Sequence, residues 1–426
     1  MAHPTPIGSA AWIGAEPYNH EHTEHIHRFL RTIKEYALRA YASSLRCNQP
    51  CKISSEFSVG TCNLVRKIQF DDGEEWIARL RMPPMSGEVE DKILVRSEME
   101  SELATMELVR RTTSIPVPRV YGYDLDDENA VGCPFSILEY ICGNAADDFS
   151  RTFPGTHPNG IPEKFQEKFW RQIAWIMIQL ASIRMPKIGS IYRNQSRPDY
   201  FTIGPFVDTS SGPYNSTVQF YQEYPLALNE ALSRGCQPTT GQEELLRLFS
   251  SFALSLHQPS SIDSYNGLED FGLANFDLGP NNTLVDKEFN ILAVIDWDSV
   301  VAVPDAGLYY LPAFMGIDIG RPGTLVTDSV MSERLMTRTK LCQRFTQTVE
   351  EVARVWWHDV EGGGSMSQRR IFSFSQLGFF SKQALAFRSL IQVKFKQDFV
   401  NMGWIEAFEW LKKNSEVEVA RFYLDK

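Results

Sequence analysis

The sequence of 426 residues predicts an α+β chain, in which a small antiparallel sheet carrying one helix precedes a larger, mainly helical part. Three observations carry that prediction. Residues from about 55 to 143 alternate apolar and polar side chains in short runs, punctuated by turn residues; one helical repeat interrupts them; and after Gly143 the long apolar patterns have helical spacing. The chain accordingly divides into an N-terminal helical extension (1–54), a sheet-and-helix lobe (55–143) and a helical lobe (144–426).

Taken in order, the polar start holds His20, His22, His25 and His27, with no cysteine or carboxylate set that completes a metal site around them. It leads into one predicted helix, "FLRTIKEYALRAYASSL". Strands follow from Phe57 in "FSVGTCNLVRKIQF", then the hairpin turn Asp71 to Gly73, then "EEWIARLRM". In "VRSEMESELATMELVRRTTSI" the apolar positions Met99, Leu103, Met106 and Val109 have helical spacing, and the prolines of "IPVPRV" stop the helix by forcing extended backbone. "YGYDL" and "PFSILEYICG" read as two more strands, the second closing at Gly143. "KFQEKFWRQIAWIMIQLASIRM" is helical, and residues 187–216, rich in Gly, Pro, Ser and Asn, read as an ordered loop. Helices are predicted at about 217–234 and 242–258. A loop and two short strands, "NTLV" and "ILAVID", come next, joined by the polar turn Asp286 to Asn290. From Ser332 onward the pattern is helical apart from a break at "EGGGSMS".

A net charge of −11 and a pI near 5.3 weigh against nucleic-acid binding, which needs a basic surface. No stretch reaches 18 apolar residues and the start has no basic and apolar leader pattern, so a cytosolic protein with no membrane partner is expected. The seven cysteines are scattered and odd in number, as in a reduced compartment, and the Cys47/Cys51 pair lacks a second pair to make a zinc site. Oligomeric state is not legible.

The chemistry concentrates in "LANFDLGPNNTLVDKEFNILAVIDWDSV". A buried carboxylate needs a hydrogen bond, an ion pair or a cation, yet Asp277 and Asp296 flank strands that are almost wholly apolar. Asn282 and Asp296 offer the oxygen ligands that Mg2+ takes alongside substrate phosphates. Asp277 is left to orient and deprotonate a hydroxyl, the division of labour found in phosphoryl transfer. The acids between Asp263 and Asp305 far outnumber the one lysine, Lys287, which suits Mg2+ and a cationic acceptor.

"NFDLGPNNTLVDKEFNILAVIDWD" resembles the catalytic and metal segments of the aminoglycoside phosphotransferase-like superfamily, whose fold is the bilobal protein-kinase-like one. The resemblance runs from about 57 to 310, and segments such as "LASIRMPKIGSIY" are similar to a branch abundant in filamentous fungi. It implies Asp277 as catalytic base, Asn282 and Asp296 as Mg2+ ligands, and Arg79 in "WIARL" as the basic residue facing the ATP phosphates. It further implies Glu102 as the partner of Arg79, Gly60 in the loop over the phosphates, and backbone groups from Glu139 to Ile141 holding adenine. The expected activity is ATP- and Mg2+-dependent phosphoryl transfer to a hydroxyl of a small molecule. Departures from the family pattern are Asn275 in place of His, Arg79 in place of Lys, a phosphate loop with the single glycine Gly60, and Gly279 where protein kinases keep a Lys. Arg81 on the same strand face competes with Arg79, while Asp298 and Asp305 read as supporting groups. Trp356, Trp357, Phe379 and Phe380 read as core before pocket. Two rival functions remain: a pseudokinase-like binding module, and an enzyme of altered chemistry such as nucleotidyl transfer or phosphate-assisted elimination.

Overall fold

The computed structural model describes residues 12, 20–85, 91–155, 160–194, 196–197, 199–234, 239–257, 269–312, 321–323, 329–361, 372–394 and 400–425. They form two compact units, Met1–His157 with Pro280–Asp298, and Pro158–Gly279 with Ser299–Lys426. The α+β expectation holds.

In the first unit the single predicted N-terminal helix is two, α1 (His20–Thr32) and α2 (Glu35–Ser44). The break has a hydrogen-bond cause. The Lys34 N–H donates to the Val131 carbonyl at 2.9 Å instead of up its own helix, and the Lys34 carbonyl accepts from Ala37 and Leu38 to start the second helix. Ile26, Phe29, Leu38 and Ala42 of these helices share one core with Leu64, Ile68, Leu80 and Phe135 of the sheet. That sheet consists of β1 (Cys51–Val59), β2 (Asn63–Phe70), β3 (Glu75–Arg81), β4 (Val120–Asp124) and β5 (Phe135–Glu139) in the order β1-β2-β3-β5-β4, every pair antiparallel.

Two strand limits differ from expectation. β1 starts at Cys51, ahead of Phe57, because the pairing with β2 changes register between Ile53 and Phe57 and the intervening Ser54, Ser55 and Glu56 hide the alternation. β5 stops at Glu139 rather than at Gly143, since the next paired residues, Asn144–Ala145, join a separate small sheet with Thr283–Val285 and Ile291–Val294. A side chain at Gly143 would meet Leu292 and the Val285 carbonyl at 3.2 Å. The Asp-Gly turn between β2 and β3 is as predicted: Gly73 has φ +91°, a conformation that favours glycine. Helix α3 (Lys92–Thr112) starts where Asp91 accepts from the Ile93 and Leu94 amides, and buries Met99, Leu103, Met106 and Val109.

In the second unit the long predicted helices are present as Glu163–Ser182, Thr217–Ser233 and Gln242–Leu256, followed by the C-terminal helices Ser329–Glu361, Lys382–Lys394, Val400–Lys413 and Glu416–Leu424. The segment predicted as a loop, 187–216, instead supplies two strands, Gly189–Arg193 and Phe201–Gly204. With Val300–Val303 and Gly272–Asn275 they make a four-stranded antiparallel sheet, in the order Phe201–Gly204, Gly189–Arg193, Val300–Val303, Gly272–Asn275. All four residues of Val300–Val303 are buried, so the strand shows no alternation to read. The "EGGGSMS" break lies outside the described residues apart from Glu361. Phe379 and Phe380 are core, Trp356 is half-buried, and the Trp357 side chain is outside the described set. Among the described residues no helix is long and apolar enough to cross a membrane.

One arginine knits this unit together. The Arg184 side chain is 3% exposed, and its Nη2 lies 2.8 Å from Asp270 and 3.2 Å from Asp305. Nη2 also donates to the Asp270 carbonyl at 2.5 Å. Arg184→Met leaves two carboxylates without their cation and is expected to cost about 2–4 kcal/mol, discounted from the fully buried case because both acids are partly solvated. Urea unfolding checks this; a loss below about 0.5 kcal/mol, ordinary for a surface change, would show the cluster to be decorative.

Candidate functional site

Within the first unit, β3 presents Arg79 and α3 presents Glu102, as the strand and helix patterns predict. Arg79 Nη1 donates to Glu102 Oε1 at 2.5 Å, and its Nη2 lies 3.7 Å from Asp296 Oδ1. Burial works against the guanidinium charge, but Glu102 and then Asp296 outweigh it and hold the Arg79 pKa above its ordinary value. The competing Arg81 makes its own pair, with Glu98 at 3.2 Å. Two cations on one strand face thus engage two acids on one helix face.

The same Glu102 oxygen accepts from the Trp297 amide at 3.3 Å, tying α3 to the "IDW" segment. Trp297 is fully buried, and its indole Nε1 donates to the Val294 carbonyl at 2.8 Å. Asp296, between this anchor and the strand Ile291–Val294, has φ +62°, rare for a residue with a side chain. The Ile295 amide donates to the Asn282 carbonyl at 2.9 Å, and the Val294 amide to the Pro116 carbonyl at 2.9 Å. The two predicted metal ligands therefore sit on segments that hydrogen-bond to each other. Asn282 itself is buried, in a short 3-10 turn.

A cavity of about 550 Å³ opens in this unit. It is lined by Gly60, Arg79, Glu102, Glu139, Ile141, Asn282 and Asp296, so the cofactor and metal candidates named from the sequence converge on one space. That volume falls in the range of small-molecule and cofactor sites. Gly60 closes the β1–β2 turn by donating its amide to the Asn63 carbonyl at 2.8 Å. The Glu139 amide is taken up by the Arg119 carbonyl at 2.8 Å. Asp298 lines the cavity as well.

Asp277 belongs to the second unit, just after the strand Gly272–Asn275, and is half-buried. Its amide donates to Asn275 Oδ1 at 3.0 Å, and the Leu278 amide points to the Asn275 carbonyl at 3.4 Å. Asn275, fully buried where the family pattern has His, thus braces the turn through its side-chain oxygen. Asp305 acts in the Arg184 cluster. Asp263, counted among the acids of this region, is outside the described residues.

Sequence reasoning missed Trp12 and Asp148 among the lining residues. Trp12 stands edge-on to Tyr140 with ring centroids 6.2 Å apart, and Lys67 Nζ lies 4.0 Å from the Tyr140 ring centre. Asp148 also faces the cavity, its carboxyl raised by burial and by Asp147. A lone tryptophan in a polar leader carries no periodic signal, and Asp148 sits in a segment read as irregular.

No protein-family model matches the chain. Among curated proteins it is 26% identical to altered inheritance of mitochondria protein 9, mitochondrial, of Candida albicans over 208 residues, 49% of this chain and 29% of that protein. The protein of the same name from Debaryomyces hansenii is 28% identical over 156 residues, covering 37% and 23% of the two chains. A subtelomeric hrmA-associated cluster protein of Aspergillus fumigatus is 25% identical over 173 residues, covering 39% and 30%. The chain thus spans less than a third of the length of these relatives. The cytosolic expectation is overturned by the mitochondrial designation of the first two relatives; the absence of a leader pattern was too weak a ground for it. Among solved structures, a candidate aminoglycoside phosphotransferase from Ralstonia eutropha has TM-score 0.47 and 13% identity, covering 92% of this chain and 98% of that one. A candidate fructosamine-3-kinase from Thermobifida fusca has TM-score 0.43 and 13% identity, covering 92% and 99%. A choline kinase from Streptococcus pneumoniae has TM-score 0.37 and 14% identity, covering 84% and 99%. The neighbours of this chain among solved structures are aminoglycoside phosphotransferases and related small-molecule kinases, and its curated sequence relatives are fungal.

Proposed function

We propose that the chain transfers the γ-phosphoryl group of ATP to a hydroxyl of a small molecule in the presence of Mg2+. The observation that carries this reading is the convergence of Arg79, Glu102, Asn282 and Asp296 on one cavity of about 550 Å³. The residues there fit the group: a cation with two acid partners for phosphates, and a carboxylate with an amide for a hard metal. Arg79 binds the phosphates with its planar fork, and Glu102 sets the direction of that fork. Asn282 and Asp296 hold Mg2+, which when bound neutralises charge on the phosphate oxygens. The Glu139 amide being engaged, adenine relies on the backbone that follows it, through Ile141. Asp277 takes its role from its place five residues ahead of Asn282: it accepts the proton of the acceptor hydroxyl as that oxygen bonds to the γ-phosphorus and ADP leaves. The excess of acids between Glu269 and Asp305 favours a cationic acceptor.

The rival reading is a binding module that retains the cavity without turnover; Arg in place of Lys at position 79 and the single glycine of the phosphate loop favour it. Thermal unfolding with Mg-ATP, followed by mass analysis of a small hydroxyl-compound library, separates the two. Saturating Mg-ATP at about 100 times Kd is expected to stabilise the protein by about 2.7 kcal/mol, and one acceptor class to gain a phosphoryl group. Stabilisation with no phosphorylated product supports the binding module; no stabilisation at all rejects nucleotide binding and both readings with it.

A further inference from the structure

The cavity of the first unit has two chemically different ends. Ile77, Arg79 and Arg81 of β3 all line it, as alternate residues of one strand face, so this wall passes from apolar to cationic over roughly 13 Å. Lys67 of β2 and Leu138 of β5 stand directly opposite Ile77 in the strand register and share its face. Tyr140, two residues beyond Leu138, carries that face past the end of β5 and lines the cavity too. The apolar end therefore coincides with the backbone from Glu139 to Ile141, and the cationic end with Arg79 and Arg81.

Trp12 belongs to the apolar end. It precedes α1 in the sequence, outside the sheet and α3, yet it lines the cavity. Two contacts hold it there. Its ring meets Tyr140 edge-on with centroids 6.2 Å apart, and Lys67 Nζ lies 5.6 Å from its ring centre and 4.0 Å from that of Tyr140. Glu75, 3.7 Å from Lys67 Nζ, steadies the ammonium in turn. An edge-on aromatic pair that shares one cation is favourable at each contact. Trp12 is nevertheless only half-buried, so part of its indole stays uncovered. A flat heteroaromatic base entering the apolar end thus meets the widest π-face a side chain offers, while the phosphates it carries reach toward Arg79.

We infer, resting on the phosphotransferase reading of this cavity, that Trp12 stacks on the nucleobase and so adds a residue from ahead of α1 to the nucleotide site. Stacking is indifferent to hydrogen-bond pattern, so ATP and GTP should depend on Trp12 alike. The test is calorimetric titration of the full chain, Trp12→Leu and Trp12→Phe with Mg-ATP and, separately, with Mg-tripolyphosphate. The leucine variant keeps apolar bulk and loses the aromatic face; its affinity for Mg-ATP is expected to fall about tenfold or more, while that for Mg-tripolyphosphate stays within about twofold. The phenylalanine variant should recover most of the Mg-ATP affinity. Leucine and phenylalanine variants that bind Mg-ATP equally well overturn the stacking role alone, as does a parallel loss of both ligands, which would mean that Trp12 only shapes the cavity. Wild type that binds no Mg-ATP overturns the phosphotransferase reading, and the stacking role with it.

Discussion

Asp277→Asn is expected to slow phosphoryl transfer to the acceptor by about 10²–10⁴-fold, the usual contribution of a positioned base. The substitution keeps the shape of the side chain and removes its ability to take a proton. The turn itself should survive, because what holds it is the Asp277 backbone amide on Asn275 Oδ1, which the change does not touch. Stabilisation by Mg-ATP should also be unchanged, since the cavity-lining residues are elsewhere in the chain. The measurement is single-turnover product formation beside a nucleotide thermal shift. Transfer that survives within a few-fold would remove Asp277 from the chemistry and leave the motif spacing coincidental.

Glu102→Ala should have the largest effect on stability. Its carboxylate serves Arg79 and the Trp297 amide at once and is only 8% exposed, so truncation leaves a buried cation and a buried N–H short of an acceptor. Breaking such a pair from one side costs about 3–5 kcal/mol. Arg79 retains Asp296 as a longer-range partner, and Glu102→Gln retains an acceptor oxygen, so the glutamine variant should lose less. A double-mutant cycle with Arg79→Met, read by urea unfolding, isolates the pair term; a coupling near zero would mean that Glu102 acts through the Trp297 amide alone.

How much of this was legible depends on what kind of information each feature carries. The β2–β3 hairpin announces itself through Asp71 to Gly73, and α3 through Met99, Leu103, Met106 and Val109, since turn chemistry and helical period are local. Arg79 and Glu102 were readable because strand and helix patterns fix which way each residue faces. The four-stranded sheet of the second unit was not: Val300–Val303 is buried throughout and Gly189–Arg193 sits in loop-like composition, so pairing across the chain decides both. The break between α1 and α2 depends on a carbonyl at Val131, far along the sequence. Arg388 reads as an ordinary polar helix position until packing shows that it is buried.

The first unit is completed by Pro280–Asp298, which the ribosome delivers long after His157. At about 5–20 residues per second, roughly 7–30 s separate the two. During that interval Asn144–Ala145 has no strand to pair with, and Glu102 waits for the Trp297 amide. The nascent sheet therefore matures only when a late segment arrives, and any chaperone that binds this chain during synthesis has that window in which to act.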